Sequence, residues 1–240
     1  MLTKTDNRFD LYEINDAKND TGETRHVLEL KDVACVRGAR TLFTGVTCQL
    51  QPGELLRVRG ANGAGKTSLL RMLCGLLEPT QGQVLWRGRN IAALREEFGA
   101  ELIYLGHAAA LKDDLTPLEN LQVACTLAAQ PMATVDARRA LDNAGLRGHQ
   151  NTQVRRLSQG QRRRSALARL ALAQTQARWA PLWVLDEPFN ALDADACAWL
   201  AGLIQAQLDR AGTVVLTSHQ DVPLGNAGRT AHGPHRELAL

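Results

Sequence analysis

The chain has 240 residues, of which 45% are hydrophobic and 22% are charged, with a formal net charge of +3. This length and composition are typical of one soluble domain, or of a domain with a subdomain. No apolar run approaches the roughly 18 residues needed to span a bilayer, and the net charge is too small to indicate nucleic acid binding by itself. The five cysteines form no C-x-x-C pair, which argues against a disulfide framework and a zinc site.

The first part of the chain predicts a tail followed by strands. Residues 1–26 combine many charges with few apolar side chains, so we expect a disordered tail there. Between residues 27 and 50, short apolar runs alternate with turn signals, and this pattern predicts antiparallel strands. Leu55–Arg59 predicts a short buried strand, and the segment from Thr67 has the apolar spacing of a helix that stops at Gly75.

A glycine-rich loop joins that strand to that helix. The chain reads Gly60-Ala61-Asn62-Gly63-Ala64-Gly65-Lys66-Thr67, which fits the pattern G-x-x-x-x-G-K-[ST] without a gap, and Ser68 follows as a further candidate phosphate-binding residue. Glycine lets backbone N–H groups wrap a triphosphate, because side chains at positions 60, 63 and 65 would block that approach. Lys66 supplies a charge for the β and γ phosphates, and the Thr67 hydroxyl is suited to bind Mg²⁺. The loop therefore predicts a nucleoside triphosphate site with a magnesium ion.

After this loop, the pattern changes from strand to helix. Residues 82–88 and Leu102–Leu105 predict two further strands. Thr116 to Glu119 reads as a capping box with proline at the first helical position, and it opens a helix to about residue 129. A second helix is predicted from Thr134 to Ala144. We expect a helical subdomain at about residues 108–164, inserted into an α/β core whose strand signals return afterwards.

A second motif follows this insert. It reads Leu157-Ser158-Gln159-Gly160-Gln161, with Ser158 as the predicted N-cap of an Ala- and Leu-rich helix that runs through Gln174. On the residues alone, this motif is either a phosphate-binding helix start or simply a capped helix. The neighbouring arginines are equally compatible with a solvated face.

A third motif ends in two carboxylates. The apolar strand 182–185 is followed by Asp186 and Glu187, and the carboxyl end of a strand is where α/β proteins bind ligands. Asp186 is suited to hold Mg²⁺ through water, and Glu187 to orient and deprotonate an attacking water. His219 follows the predicted strand 213–217 and could donate to the γ-phosphate, although a lone histidine is more often structural.

In this order, the motifs over residues 27–240 resemble the nucleotide-binding subunits of ABC transporters. The resemblance implies an α/β P-loop NTPase fold of the ABC type, with an antiparallel β region and a helical subdomain. It implies that Ser158, Gln159, Gly160 and Gln161 form the signature that closes on ATP bound by a second copy, with Gln159 at the usual glycine position. It also implies that Asp193 belongs to the D-loop at the nucleotide and that His219 is the switch histidine.

Two departures from the usual motifs of this family indicate a particular branch of it. His107 stands where most such subunits have the glutamine of the Q-loop, and it can still bind water near Mg²⁺ or relay to a partner. The aromatic residue that usually stacks on adenine is missing around Arg37, which can stack there instead. Because of these departures and the stretches 40–43 and 84–88, the sequence resembles the ATPase subunits of the cytochrome c maturation system.

This closer resemblance implies a peripheral ATPase on the cytoplasmic face of the bacterial inner membrane, with integral membrane haem exporter subunits as partners. ATP hydrolysis would drive haem export or release of the haem-loaded periplasmic chaperone, and residues 111–119 would dock on the membrane subunits. Two alternatives remain: the ATPase of another small-substrate exporter, and a soluble ABC ATPase acting on nucleic acid. Neither a second cassette nor a heptad repeat supports the latter, so no nucleic acid partner is expected.

Overall fold

The computed structural model describes residues 26–130, 132–174, 180–218 and 235–240. Residues 1–25 of the predicted tail and His219 therefore lie outside the described residues. The strands are β1 (Leu28–Arg37), β2 (Arg40–Leu50), β3 (Leu55–Arg59), β4 (Gln81–Trp86), β5 (Arg89–Asn90), β6 (Leu102–Leu105), β7 (Leu182–Leu185), β8 (Thr213–Thr217) and β9 (His235–Ala239). The helices are α1 (Lys66–Leu73), α2 (Ile91–Ala100), α3 (Pro117–Leu127), α4 (Thr134–Asn143), α5 (Gln159–Ala173) and α6 (Ala194–Asp209).

Four strands form an antiparallel sheet in the order β2-β1-β4-β5. β1 and β2 form a hairpin in which Arg37 pairs with Arg40, and Gly38 in the turn has a φ of 59°. A positive φ is a conformation that glycine adopts without a steric penalty. The hairpin confirms the antiparallel strands predicted for residues 27–50.

The other five strands form a parallel sheet in the order β6-β7-β8-β3-β9. Leu105, Leu185 and Leu216 lie side by side in register near the carboxyl ends of β6, β7 and β8, and Val58 of β3 pairs with Thr217. The loops that follow these four strands therefore leave from the same edge of the sheet. In an open parallel sheet, this is the edge at which ligands bind.

Helix α1 fills the space between the two sheets. Its apolar residues Leu69, Leu70, Met72 and Leu73 are at most 1% exposed and belong to one core cluster with residues of both sheets. The helix ends at Leu73, and Gly75 follows with a φ of 68°. This confirms the predicted stop, and the burial fixes the phosphate loop at the head of α1 relative to both sheets.

The helical region is built on α3, α4 and α5. Thr116 caps α3 in a reciprocal capping box with Glu119, as predicted, and α4 begins at Thr134. Helix α5 has two apolar faces that pack into different clusters: Ala168 and Leu172 face α3 and α4, whereas Leu167 and Leu170 face β7, β8 and α6. α5 therefore joins the helical region to the parallel sheet.

Four of the described elements were not predicted from the sequence: the two-residue strand β5, helices α2 and α6, and strand β9. Helix α2 is capped by Asn90 and is broken at Arg95, which has a φ of 23°, so its apolar spacing is poor. Helix α6 is capped by Asp193, a signal that was available in the sequence. β9 becomes a strand by pairing with β3 over its whole length. Within the described ranges, no helix is both long and apolar enough to cross a membrane.

Candidate nucleotide-binding and hydrolytic site

The phosphate loop runs from the end of β3 to the start of α1, and its first and last glycines, Gly60 and Gly65, leave no room for side chains. A Cβ atom at Gly60 would lie 2.9 Å from the backbone oxygen of Leu240, and one at Gly65 would lie 2.9 Å from the ring of Phe43. Gly65 also has a φ of 104° and serves as the N-cap of α1. The loop is therefore shaped by packing from β2 and from the residue after β9, not by local sequence alone.

Lys66 is held over this loop. Its Nζ donates hydrogen bonds to the carbonyl oxygens of Gly60, at 2.8 Å, and Ala61, at 3.1 Å. Ala61, Asn62 and Gly63 are exposed, so the outer surface of the loop is open to solvent. The ammonium group and the N–H groups at the start of α1 form a positive concave surface, and such a surface suits phosphate oxygens.

Asp186 is the centre of the hydrogen-bond network beside the loop. It is 2% exposed, and its two carboxylate oxygens accept from Thr67 Oγ1 at 2.8 Å and from Thr217 Oγ1 at 2.7 Å. Three segments far apart in the chain thus meet at one carboxylate. A buried carboxylate beside a hydroxyl presents the hard oxygen ligands that Mg²⁺ prefers, so the residues fit the predicted metal.

Glu187 has a strained backbone. Its φ is 48°, a value that costs a non-glycine residue about 1–3 kcal/mol and persists only when the surroundings enforce it. Its N–H donates to Thr217 Oγ1 at 2.8 Å, and its carbonyl oxygen accepts from Arg163 Nη2 at 2.8 Å. The side chain is 7% exposed, so the carboxylate lies in a confined position next to Asp186.

The signature turn lies at the start of α5. Ser158 Oγ accepts from the N–H of Gln161, whose side chain in turn accepts from the N–H of Ser158. A Cβ atom at Gly160 would lie 2.8 Å from the backbone oxygen of Ala191, so glycine is required by close packing. Ser158 and Gln159 are exposed. Among the described residues, no hydrogen bond joins this turn to the phosphate loop.

Asp193 has a local structural role. Its Oδ1 accepts from the N–H of Ala196 at 2.9 Å as the N-cap of α6, and its Oδ2 is 3.9 Å from Arg164 Nη1. The turn after Glu187 is therefore tied to the signature helix α5. The exposed carboxylate remains accessible from outside the chain.

His107 lies on the loop after β6, at the same sheet edge as Glu187. Its side chain is exposed, and its carbonyl oxygen accepts from Arg163 Nη1 at 3.3 Å. Nearby, burial raises the pKa of the Tyr104 phenol, which also has a hydrogen bond with Arg71 of α1.

Sequence reasoning missed three residues of this site. Thr217 was treated only as part of a strand, although it bonds both Asp186 and Glu187. Arg163 was grouped with its neighbours, but it is buried beside both carboxylates. Burial lowers the pKa of its guanidinium, and the charges of Asp186 and Glu187 oppose that shift. Arg40 Nη2 lies 3.4 Å from the carbonyl oxygen of Gly63, so Arg40 reaches the phosphate loop. From the sequence, Arg40 was noted only as part of the stretch 40–43.

Comparison with known proteins agrees with this geometry. The sequence model of the ABC transporter family matches residues 43–190. The cytochrome c biogenesis ATP-binding export protein CcmA of Dechloromonas aromatica (strain RCB) is 50% identical over 214 residues, which are 89% of this chain and 100% of that protein.

Solved structures share the fold. The structure of an ATP-binding subunit of an ABC transporter has a TM-score of 0.68 at 26% identity and covers 80% of each chain. An ATP-binding cassette, solved as a dimer in a post-hydrolysis state with ADP and phosphate, has a TM-score of 0.67 at 24% identity and covers 80% of this chain and 88% of that chain. The chain therefore belongs to the ABC transporter family of ATP-binding proteins, in the branch of the cytochrome c biogenesis ATP-binding export proteins.

Proposed function

We propose that this chain is the ATP-hydrolysing subunit of a membrane export complex for cytochrome c maturation. The observation that carries the proposal is the network in which Asp186 joins Thr67 of the phosphate loop to Thr217, next to the strained Glu187. Similarity over 89% of the chain to a cytochrome c biogenesis ATP-binding export protein supports the choice of branch.

ATP binds on the phosphate loop. The backbone N–H groups of residues 60–68 surround the phosphates, since the positions of Gly60 and Gly65 admit no side chain. Lys66 exchanges its bonds to the loop carbonyls for bonds to the β and γ phosphates. Arg40, beside Gly63, adds a positive charge on the outer side of the loop.

Thr67 and Asp186 would hold Mg²⁺. When bound, the ion would supply positive charge beside the β and γ phosphates. Thr217 keeps the Asp186 carboxylate oriented, because its hydroxyl donates to the second oxygen.

Glu187 acts as the general base. Its carboxylate orients a water and accepts its proton as the bond from the water oxygen to the γ-phosphorus forms and the bond from that phosphorus to the ADP oxygen breaks. His219 donates to the γ-phosphate, and His107 binds water at the same edge or relays movement to a partner. For His219 the proposal depends on the resemblance alone, since it lies outside the described residues.

The site is completed by a second copy of the chain. Ser158, Gln159, Gly160 and Gln161 form a helix N-terminus that is exposed at Ser158 and Gln159 and is suited to an anion, and within the described part of the chain they have no hydrogen bond to the phosphate loop. Two copies facing each other would present this turn, with Asp193, to the γ-phosphate on the opposite phosphate loop. A solved cassette of the same fold is a dimer, which supports this arrangement.

The membrane subunits dock on residues 111–119, at the cytoplasmic face of the inner membrane. The Asn120 side chain, 8% exposed, bonds both the N–H and the carbonyl oxygen of Lys112, so this loop has a fixed shape before any partner binds. Asp113 and Asp114 project from it and are anchored by Arg162 and Arg155. The released species is haem or a haem-loaded periplasmic chaperone.

The test combines enzymology with a cellular readout. Glu187→Gln should lower single-turnover ATP hydrolysis by about 100-fold or more, because a positioned general base contributes at least that much. ATP binding should persist, and an ATP-bound dimer should accumulate. Glu97→Gln is the control, since Glu97 is an exposed carboxylate that pairs with Arg89 at the surface.

In the source cell, Glu187→Gln should abolish haem staining of the periplasmic c-type cytochromes. Unchanged hydrolysis in Glu187→Gln would contradict the catalytic assignment. If hydrolysis is lost but the cytochromes mature normally, the proposed role in cytochrome c maturation is contradicted. The chain would then be the ATPase of another exporter.

A further inference from the structure

Three consecutive arginines of α5 have different environments. Arg162 pairs with Asp113 at 3.0 Å and Arg164 lies 3.9 Å from Asp193, and both ion pairs are partly exposed. Arg163, between them, is only 6% exposed and points into the protein toward the edge of the parallel sheet. Arg163 is therefore buried, whereas its two neighbours are partly exposed.

The guanidinium of Arg163 contacts five backbone carbonyl oxygens. The acceptors are those of Gly106 (Nη1, 3.0 Å), His107 (Nη1, 3.3 Å), Asp186 (Nη2, 2.8 Å), Glu187 (Nη2, 2.8 Å) and Pro188 (Nε, 3.4 Å). A guanidinium has five N–H donors in a rigid fork, so every donor has its own acceptor. No other side chain type could reproduce this set.

These acceptors belong to two loops with proposed roles in hydrolysis. One loop follows β6 and carries His107, and the other follows β7 and carries Glu187. The bond to the carbonyl oxygen of Glu187 lies on the far side of the same residue whose N–H donates to Thr217. The strained φ of 48° at Glu187 is thus held from both sides, by Thr217 and by Arg163.

We propose that Arg163 is a positioning residue for ATP hydrolysis, which sets the backbone at Glu187 and ties it to the His107 loop and to the signature helix. This inference rests on the proposed role of Glu187 as the base. Because Arg163 is on α5, three residues after Gly160, a rotation of the signature helix moves both loops together. Closure of the signature turn on ATP is thereby coupled to the position of the base.

The first experiment measures steady-state ATP hydrolysis by the full chain with Arg163→Lys and Arg163→Gln. Lysine keeps the charge but has three N–H donors for five carbonyl groups. Glutamine loses the charge and has two N–H donors. We expect kcat to fall by about 10-fold for lysine and about 100-fold for glutamine, with KM for ATP within about 3-fold, because misplacing a catalytic group lowers kcat and not ground-state binding. Arg139→Gln, which removes an exposed arginine that pairs with Asp136 on α4, should keep its kcat.

The second experiment separates positioning from a merely structural role. Single-turnover hydrolysis is measured for Arg163→Lys, Glu187→Gln and the double variant, with thermal melting to verify folding. If Arg163 acts through Glu187, the double variant is no slower than Glu187→Gln alone, because there is no base left to position. If Arg163 only stabilises the fold, its loss lowers the rate by the same factor in both backgrounds.

Equal factors in the two backgrounds, or a kcat unchanged in Arg163→Lys and Arg163→Gln, would overturn the inference. Arg163→Lys keeps the test valid if the glutamine variant does not fold. Undiminished hydrolysis in the Glu187→Gln single variant would instead contradict the proposed function. The Arg163 variants thus test the inference, and the Glu187 variant tests the function on which it rests.

Discussion

The phosphate loop and the signature turn both lie at helix N-termini and are both proposed to bind phosphate, but the chain holds them in different ways. Around the phosphate loop, Thr67, Asp186 and Thr217 from three distant segments form one network, and packing against Phe43 and Leu240 shapes the loop. The turn at Ser158–Gln161 is closed by its own capping box, with Ser158 and Gln159 exposed. The phosphate loop is thus built into the core of the chain, whereas the signature turn begins at its surface, which suits the proposed site between two copies.

The strongest test of this comparison is complementation between two inactive variants. Lys66→Ala removes the phosphate charge, and Ser158→Glu puts a carboxylate where the γ-phosphate of the partner's ATP would bind. Each should lower hydrolysis by about 100-fold alone, since each removes electrostatic stabilisation of the transferred phosphate. The Ser158→Glu chain should still fold, because an acid at a helix N-terminus is favourable.

An equimolar mixture of these variants should recover about one quarter of the wild-type rate per chain, since half of the dimers are mixed and each has one intact site. The measurement is ATPase activity of the mixture as a function of its composition. Mixtures of either variant with Lys66→Ala/Ser158→Glu chains serve as the control. A mixture as inactive as its components would mean that the two halves act within one chain.

A smaller effect is expected from the network inside the chain. Thr217→Val removes the hydroxyl that bonds Asp186 and Glu187, leaving a buried N–H without an acceptor. We expect a loss of stability on the order of 2 kcal/mol and a fall in hydrolysis of about 10-fold. The matched control is Thr213→Val on the same strand, also fully buried, whose hydroxyl has only a 3.5 Å contact with Gln51. Equal effects of the two substitutions on hydrolysis would show that the network is not functional.

The smallest effect is expected from substitutions at the N-caps of two capping boxes of the same type. Thr116 and Ser158 each accept from the N–H three residues later. Replacing either by alanine should cost about 1 kcal/mol, which lowers Tm by about 2–4 °C in a domain of this size. Only Ser158→Ala should also raise KM for ATP hydrolysis, because only that hydroxyl is proposed to contact phosphate. Thermal melting and steady-state kinetics of both variants decide whether the signature turn is more than a helix cap.

Much of the fold follows from local sequence. The strands Leu55–Arg59, Leu102–Leu105, Leu182–Leu185 and Thr213–Thr217 are short apolar runs, and they lie where the sequence predicts them. Helix starts at Thr116 and Ser158 carry capping boxes, which are local signals too. Helix α2 and strand β9 were missed, because the first is broken at Arg95 and the second is a strand only through its pairing with β3.

For the site, the sequence by itself determined which chemistry is present: a phosphate loop, two acids after a strand and a signature turn, each recognisable because its residues are neighbours in the chain. The tertiary structure alone decided which side chains meet. Three adjacent arginines are equivalent in sequence, and only the packing of α5 against the sheet directs Arg163 to the carbonyl groups of two loops. Thr217 acquires its role in the same way, since parallel pairing of β8 with β7 brings its hydroxyl to Asp186.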